Sequence, residues 1–226
     1  MTSATQSNSG TSAYLGFVYA LLGNPDIISE KDLNNPRLQT DLKALFQGIN
    51  RSSGSSGWLK DLFLKGNYDA MVNYESVILE TNRILASKGE EPLYIVYPQD
   101  GIVISDSPIG FFSKGSPKKE ELFKKLQEYL LSPKIQEKIL LSGRRVGLGG
   151  TLENSDRNVF NPEWGVDPDK ILSPIKLPAA EVIRKALTMY QNSFRKKSLT
   201  VFCLDFSGSM KGNGYAQLKE AMNMLL

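Results

Sequence analysis

The sequence predicts an α/β fold, a lobe with a mixed sheet flanked by helices. Amphipathic stretches of helical period alternate with short apolar runs bounded by Pro, Gly and Asp, and the two kinds of segment interleave along most of the chain. At 226 residues it has length for one large domain or two small ones, and its 41% apolar content is that of a globular protein.

After a polar opening, Tyr14 to Leu22 is apolar nearly all round and stops at Gly23-Asn24-Pro25, which predicts a short buried helix capped from Ser9 to Ser12. A second helix fits Pro36 to Gln47, with Leu38, Leu42, Leu45 and Phe46 on one face and Gly48 as terminator. The Ser/Gly run from Arg51 to Gly57 leads into a third through Leu64 and reads either as a flexible linker or as a loop of hydrogen-bond donors. Tyr68 to Asn73 reads as a brief strand turning, at Tyr74-Glu75-Ser76, into a helix that ends near Gly89. Strands are expected at Leu93 to Tyr97, Gly101 to Ser105 and Ile109 to Phe112. Pro117 opens a helix through Leu122, Leu126, Tyr129 and Leu130, and Pro133 opens another that Gly143 ends. From Gly147 to Pro178 a connector rich in Gly, Asn, Asp and Pro is expected on the surface, anchored by Phe160, Trp164 and Ile171. A helix from Ala179 to Phe194 follows, then a strand from Leu199 to Leu204. The domain reading is 1–150 for the lobe, 151–195 for a connector and helix, and 196–226 for the start of a second domain.

Composition removes several classes of chemistry. The chain has no His, which excludes a His-based triad, a His proton shuttle and the commonest zinc ligand. The 27 basic and 24 acidic residues leave +3, too small an excess to argue for a nucleic-acid partner. The single Cys203 can form no intrachain disulfide and is expected to pack as a small apolar side chain. No phosphate-cradling or nucleophile-elbow motif is present, so no enzymatic activity is expected.

Directly after the last expected strand stands Asp205-Phe206-Ser207-Gly208-Ser209. One carboxylate and two hydroxyls, alternating along an extended segment, suit a hard divalent cation such as Mg2+; the same residues also suit a simple helix cap. Strand and motif together resemble the start of a von Willebrand factor A domain. The resemblance implies its first strand and helix, a metal-ion-dependent adhesion site with Asp205, Ser207 and Ser209 as ligands, and a protein partner engaged through the cation. The family's later Thr and Asp loops have no counterpart before Leu226, so the site is expected to be incomplete and to bind weakly.

Residues 1 to about 150 resemble the second lobe of a type II bacterial extracellular solute-binding protein. The likeness rests on Thr5-Gln6-Ser7-Asn8-Ser9-Gly10-Thr11, on Asn73-Tyr74-Glu75, on Asp100-Gly101 through Phe112, on Leu126 to Glu137, and on Gly143-Arg144-Arg145. It implies a ligand site at Thr5, Ser7, Ser9, Gly10, Thr11, Asn73, Tyr74 and Glu75. A helix start offers unpaired N–H groups to an anion, which fits a small oxyanion; Ser9 or Thr11 could equally be an N-cap, and Glu75 a structural hydrogen-bond partner. The resemblances imply a non-enzymatic, bacterial cell-envelope or extracellular binding protein, in which the solute-binding lobe joins an adhesion-type module. The alternative is an adhesion or assembly protein whose lobe is only a scaffold. The family's first lobe is expected upstream of Met1 and membrane attachment only through regions outside this chain. Uncovered surfaces would allow a dimer.

Overall fold

The computed structural model describes residues 1–66, 68–147, 150, 152, 155–167, 173–196 and 201–225. Its contacts divide into two units, Met1–Arg195 and Lys196–Leu226. The expected surface connector between Gly147 and Pro178 and the helix after it both fall within the first unit, and Ile171 lies outside the described residues.

The first unit is built of helices: α1 Asn8–Leu21, α2 Glu30–Leu33, α3 Pro36–Gln47, α4 Ser56–Lys65, α5 Glu75–Ser87, α6 Pro117–Leu131, α7 Pro133–Leu141 and α8 Ala180–Met189, the last running into a π turn at Tyr190–Phe194. Local chemistry explains their ends. Asn35 accepts the Arg37 N–H at 2.9 Å, Pro36 occupies the first turn where its missing N–H costs nothing, and Gly48 closes α3. At the end of α1, Gly23 and Asn24 take φ of 75° and 62°, the left-handed conformation that stops a helix.

Two apolar clusters hold the unit together. In the first, Tyr14 and Val18 of α1, Leu38, Leu42 and Phe46 of α3, and Val182 and Ala186 of α8 with Tyr190 and Phe194 of the π turn are buried together. The four-residue steps within α3 and along α8 put those side chains on one face. The Tyr14 hydroxyl donates to the Ala186 carbonyl at 3.0 Å, and burial, then the neighbouring Tyr190, raise its pKa, which keeps it a donor. In the second cluster, Leu79 of α5 and Leu140 of α7 pack with Ile95 and with Leu152, Val159, Phe160 and Val166. The segment expected to run over the surface thus supplies core side chains.

The expected α/β fold with a mixed sheet is not what forms. Among the described residues no β ladder exists; pairing is confined to isolated parallel bridges such as Thr2 with Ser53 and Ile102 with Pro174. The runs expected as strands form neither helix nor ladder among the described residues, and at Leu93 to Tyr97 the polar groups go elsewhere. Asn82 clamps Leu93 with its side-chain amide, accepting from the N–H and donating to the carbonyl, both at 2.8 Å. The Ile95 N–H donates to the Trp164 carbonyl at 2.7 Å. A strand is defined by a neighbouring backbone, and here loops and an amide side chain take that place.

The second unit holds residues 201–204 outside helix and strand, a 3-10 turn at Gly208–Met210 and α9 Asn213–Leu225. The expected strand there forms no ladder among the described residues, and Leu199 and Thr200 lie outside them. Cys203 is exposed rather than packed in a strand interior. No helix among the described residues is long and apolar enough to cross a membrane.

Candidate functional site

The start of α1 meets the start of α4 through hydroxyls. Ser9 Oγ lies 2.7 Å from Thr2 Oγ1, 2.9 Å from Ser7 Oγ and 2.8 Å from Ser56 Oγ. In the Ser/Gly run before α4, Ser55 caps that helix by accepting the Trp58 N–H at 3.2 Å, leaving Ser56 to face Ser9. Ser7 is the N-cap residue of α1, yet its hydroxyl turns to Ser9 and caps no N–H, so the first N–H groups of α1 have no side-chain partner.

Gly10 is fixed by close approach. A Cβ there would lie 2.3 Å from the Ser3 carbonyl oxygen and 2.7 Å from that of Thr2, backbone atoms that cannot swing aside. Those residues are held in turn, since the Ser3 N–H donates to the Ser53 carbonyl at 2.9 Å. Gly10→Ala is expected to cost about 1–3 kcal/mol, the range for overpacking a tight contact, with the loss read as a lower urea midpoint at unchanged slope.

Asn73 joins the same junction from the chain before α5. Its Nδ2 donates to the Ser56 carbonyl at 3.0 Å, and its Oδ1 accepts the Tyr74 N–H at 2.9 Å. The two sequence-predicted stretches, 5–11 and 73–75, are therefore brought together through Ser56. Not every member keeps a free polar group. Three partners fill the one-donor, two-acceptor capacity of Ser9, and Thr11 spends its only donor on the Ala4 and Ser7 carbonyls at 2.7 and 3.2 Å. Thr5 is exposed and donates to Gln191 Oε1 at 3.3 Å. Tyr74 is half-buried and sets the start of α5 as its N-cap residue.

The Glu75 carboxylate is engaged within the protein. Arg145 grips it with both faces of its fork, Nε to Oε2 and Nη2 to Oε1, each at 2.8 Å, while the Tyr97 hydroxyl donates to Oε1. Arg145 also donates to the Gly150 carbonyl at 3.2 Å. Burial alone would lower the Arg145 pKa; the Glu75 hydrogen bonds and charge outweigh it and hold the guanidinium above its ordinary value. Burial, then the Glu75 charge, raise the Tyr97 phenol, so it stays protonated and donates. Sequence reasoning missed Arg145 and Tyr97 as partners of Glu75, because separations of 70 and 22 residues carry no local period.

In the second unit the Asp205 motif is exposed and ordered by its own hydrogen bonds. The Ser207 N–H donates to Asp205 Oδ1 at 2.8 Å, and the Ser207 and Ser209 hydroxyl oxygens are 2.9 Å apart. The Ser207 N–H, then the Ser207 side chain, hold the Asp205 carboxyl below its ordinary pKa, so it remains ionised as pH falls past the usual carboxylate value. Adjacent ligands of an octahedral Mg2+ with bonds of about 2.0–2.1 Å are separated by about 2.9 Å, the spacing these two hydroxyls already have. No group of three or more acidic, His or Cys side chains among the described residues is arranged to hold a metal, so a cation here would have the Asp205 carboxylate as its charged ligand and rely otherwise on hydroxyls and water. No family model matches the chain, and no curated protein or solved structure matches it.

Proposed function

We propose that the chain is a non-catalytic binding protein of the cell envelope or extracellular space, with a small-oxyanion site in its first unit and a divalent-cation site in its second. The observation that carries the reading is the hydroxyl junction, where Ser9 links two helix starts and Ser7 leaves the N–H groups of α1 uncapped. Neutral donors and two helix dipoles suit a dehydrated oxyanion without a formal countercharge. In the second unit, Asp205, Ser207 and Ser209 supply Mg2+ or a similar ion with one carboxylate and two hydroxyls, leaving open positions for water or for an acidic side chain of a protein partner. The cell-envelope assignment rests on the resemblances to solute-binding proteins and A domains alone.

A second reading keeps the cation site and makes the first unit a scaffold without ligand. The saturated Ser9 hydroxyl, the spent Thr11 donor and the Arg145 grip on Glu75 favour it. Calorimetric titration separates the two. Phosphate is expected to bind with an affinity that Ser7→Ala with Ser56→Ala lowers about tenfold, and Mg2+ to bind with an affinity that Asp205→Asn abolishes. Heat from Mg2+ but not from phosphate establishes the scaffold reading; heat from neither overturns both.

A further inference from the structure

A groove beside α8 and the π turn carries chemistry that the hydroxyl junction lacks. Its cavity of about 570 Å3 is within the size range of small-molecule sites. Arg184, Arg195, Gln191 and Thr5 supply a polar wall, Ile183 and Leu187 an apolar one, and no carboxylate is among the described residues that line it. Gln191 Oε1 gathers the Thr5 hydroxyl and Arg195 Nη1, each at 3.3 Å, from two separate elements. A neutral oxygen thus occupies a point where a guanidinium and a hydroxyl converge, and both bonds are long enough for a charged oxygen to improve on them.

The π turn shapes this wall. The Arg195 N–H donates to the Tyr190 carbonyl at 2.8 Å, five residues back, and the turn sends Tyr190 and Phe194 into the core while Gln191 and Arg195 face the groove. Such turns concentrate at functional sites. Arg184 pairs with Glu181, but both side chains are well over half exposed, so water screens the pair and an incoming anion displaces it at little cost.

From this convergence we infer that the groove binds an organic carboxylate, its head taken by Arg195 with Thr5 and its carbon chain laid along Ile183 and Leu187. A planar guanidinium fork matches a carboxylate, and the apolar wall favours a ligand with a body over an inorganic anion. The inference does not depend on the oxyanion site at Ser9.

The test follows the arginine Nε–H signals of the 15N-labelled full chain during titration with hexanoate, acetate and inorganic phosphate. Hexanoate is expected to shift the Arg195 signal saturably, with affinity about tenfold above acetate because its added methylenes are part-buried. That signal is assigned by its loss in Arg195→Gln, and the same variant is expected to bind hexanoate about tenfold more weakly. Thr5→Val, at an exposed position outside the core, is a second variant expected to weaken hexanoate in the same direction. Absence of a saturable shift, equal affinity for phosphate and hexanoate, or hexanoate binding that neither variant alters would overturn the assignment.

Discussion

Phe46→Ala is expected to destabilise the Met1–Arg195 unit by about 3–5 kcal/mol, the cost of removing a large buried ring from a site that cannot collapse. Phe46 is 3% exposed, and its ring centroid stands 5.2 Å from Tyr190, 5.8 Å from Tyr14, 6.4 Å from Phe17 and 6.5 Å from Phe194. Those neighbours belong to α1 and to the π turn, so no single side chain can move to fill the void without shifting a helix. Edge-to-face contacts with Tyr14, Phe17 and Tyr190 are lost with the ring. Both tryptophans, Trp58 and Trp164, lie in this unit, so urea unfolding followed by their fluorescence reports on it. Leu45→Ala, one residue away and 36% exposed, is the control and is expected to stay within about 0.5 kcal/mol. Equal losses from the two variants would mean that α3 does not bury the face described.

The same helix shows what a sequence can convey. The four-residue steps of Leu38, Leu42 and Phe46, with Pro36 inside the start and Gly48 at the end, specify α3 from local spacing alone. The alternation in Leu93 to Tyr97 is equally real: Ile95 is buried while Tyr94 and Val96 are 73% and 81% exposed. Period-two burial, however, says which way side chains point and not what lies beside the backbone. Asn82 and Trp164 supply that neighbour here, and neither carries a strand signal. The candidate site divides along the same line. Ser7, Ser9 and Asn73 were legible as polar groups at element ends; Thr2 was not, because its bond to Ser9 depends on the pairing of Thr2 with Ser53. The Asp205 motif was legible because its hydrogen bonds are all within four residues.

Arg145→Met is expected to cost about 3–5 kcal/mol, because it leaves the Glu75 carboxylate buried without its counter-charge. The side chains of the pair are only 10% and 19% exposed, so water cannot replace the lost partner as it would at an exposed ion pair. The Tyr97 hydroxyl still donates to Glu75, but one neutral hydrogen bond offsets only part of a desolvated charge. The same substitution also removes the bond to the Gly150 carbonyl, which closes a local loop in the chain after α7. Replacing both partners, Glu75→Leu with Arg145→Met, is expected to recover much of the loss, since it removes the charge that needed compensation. A double-mutant cycle in urea, read by tryptophan fluorescence, gives the coupling directly, and a coupling below about 0.5 kcal/mol would rule out the bidentate grip. Should Glu75 instead be free to serve a ligand, Arg145→Met would leave stability unchanged and alter only binding. A structural pair and a binding carboxylate therefore differ in whether the substitution affects folding at all.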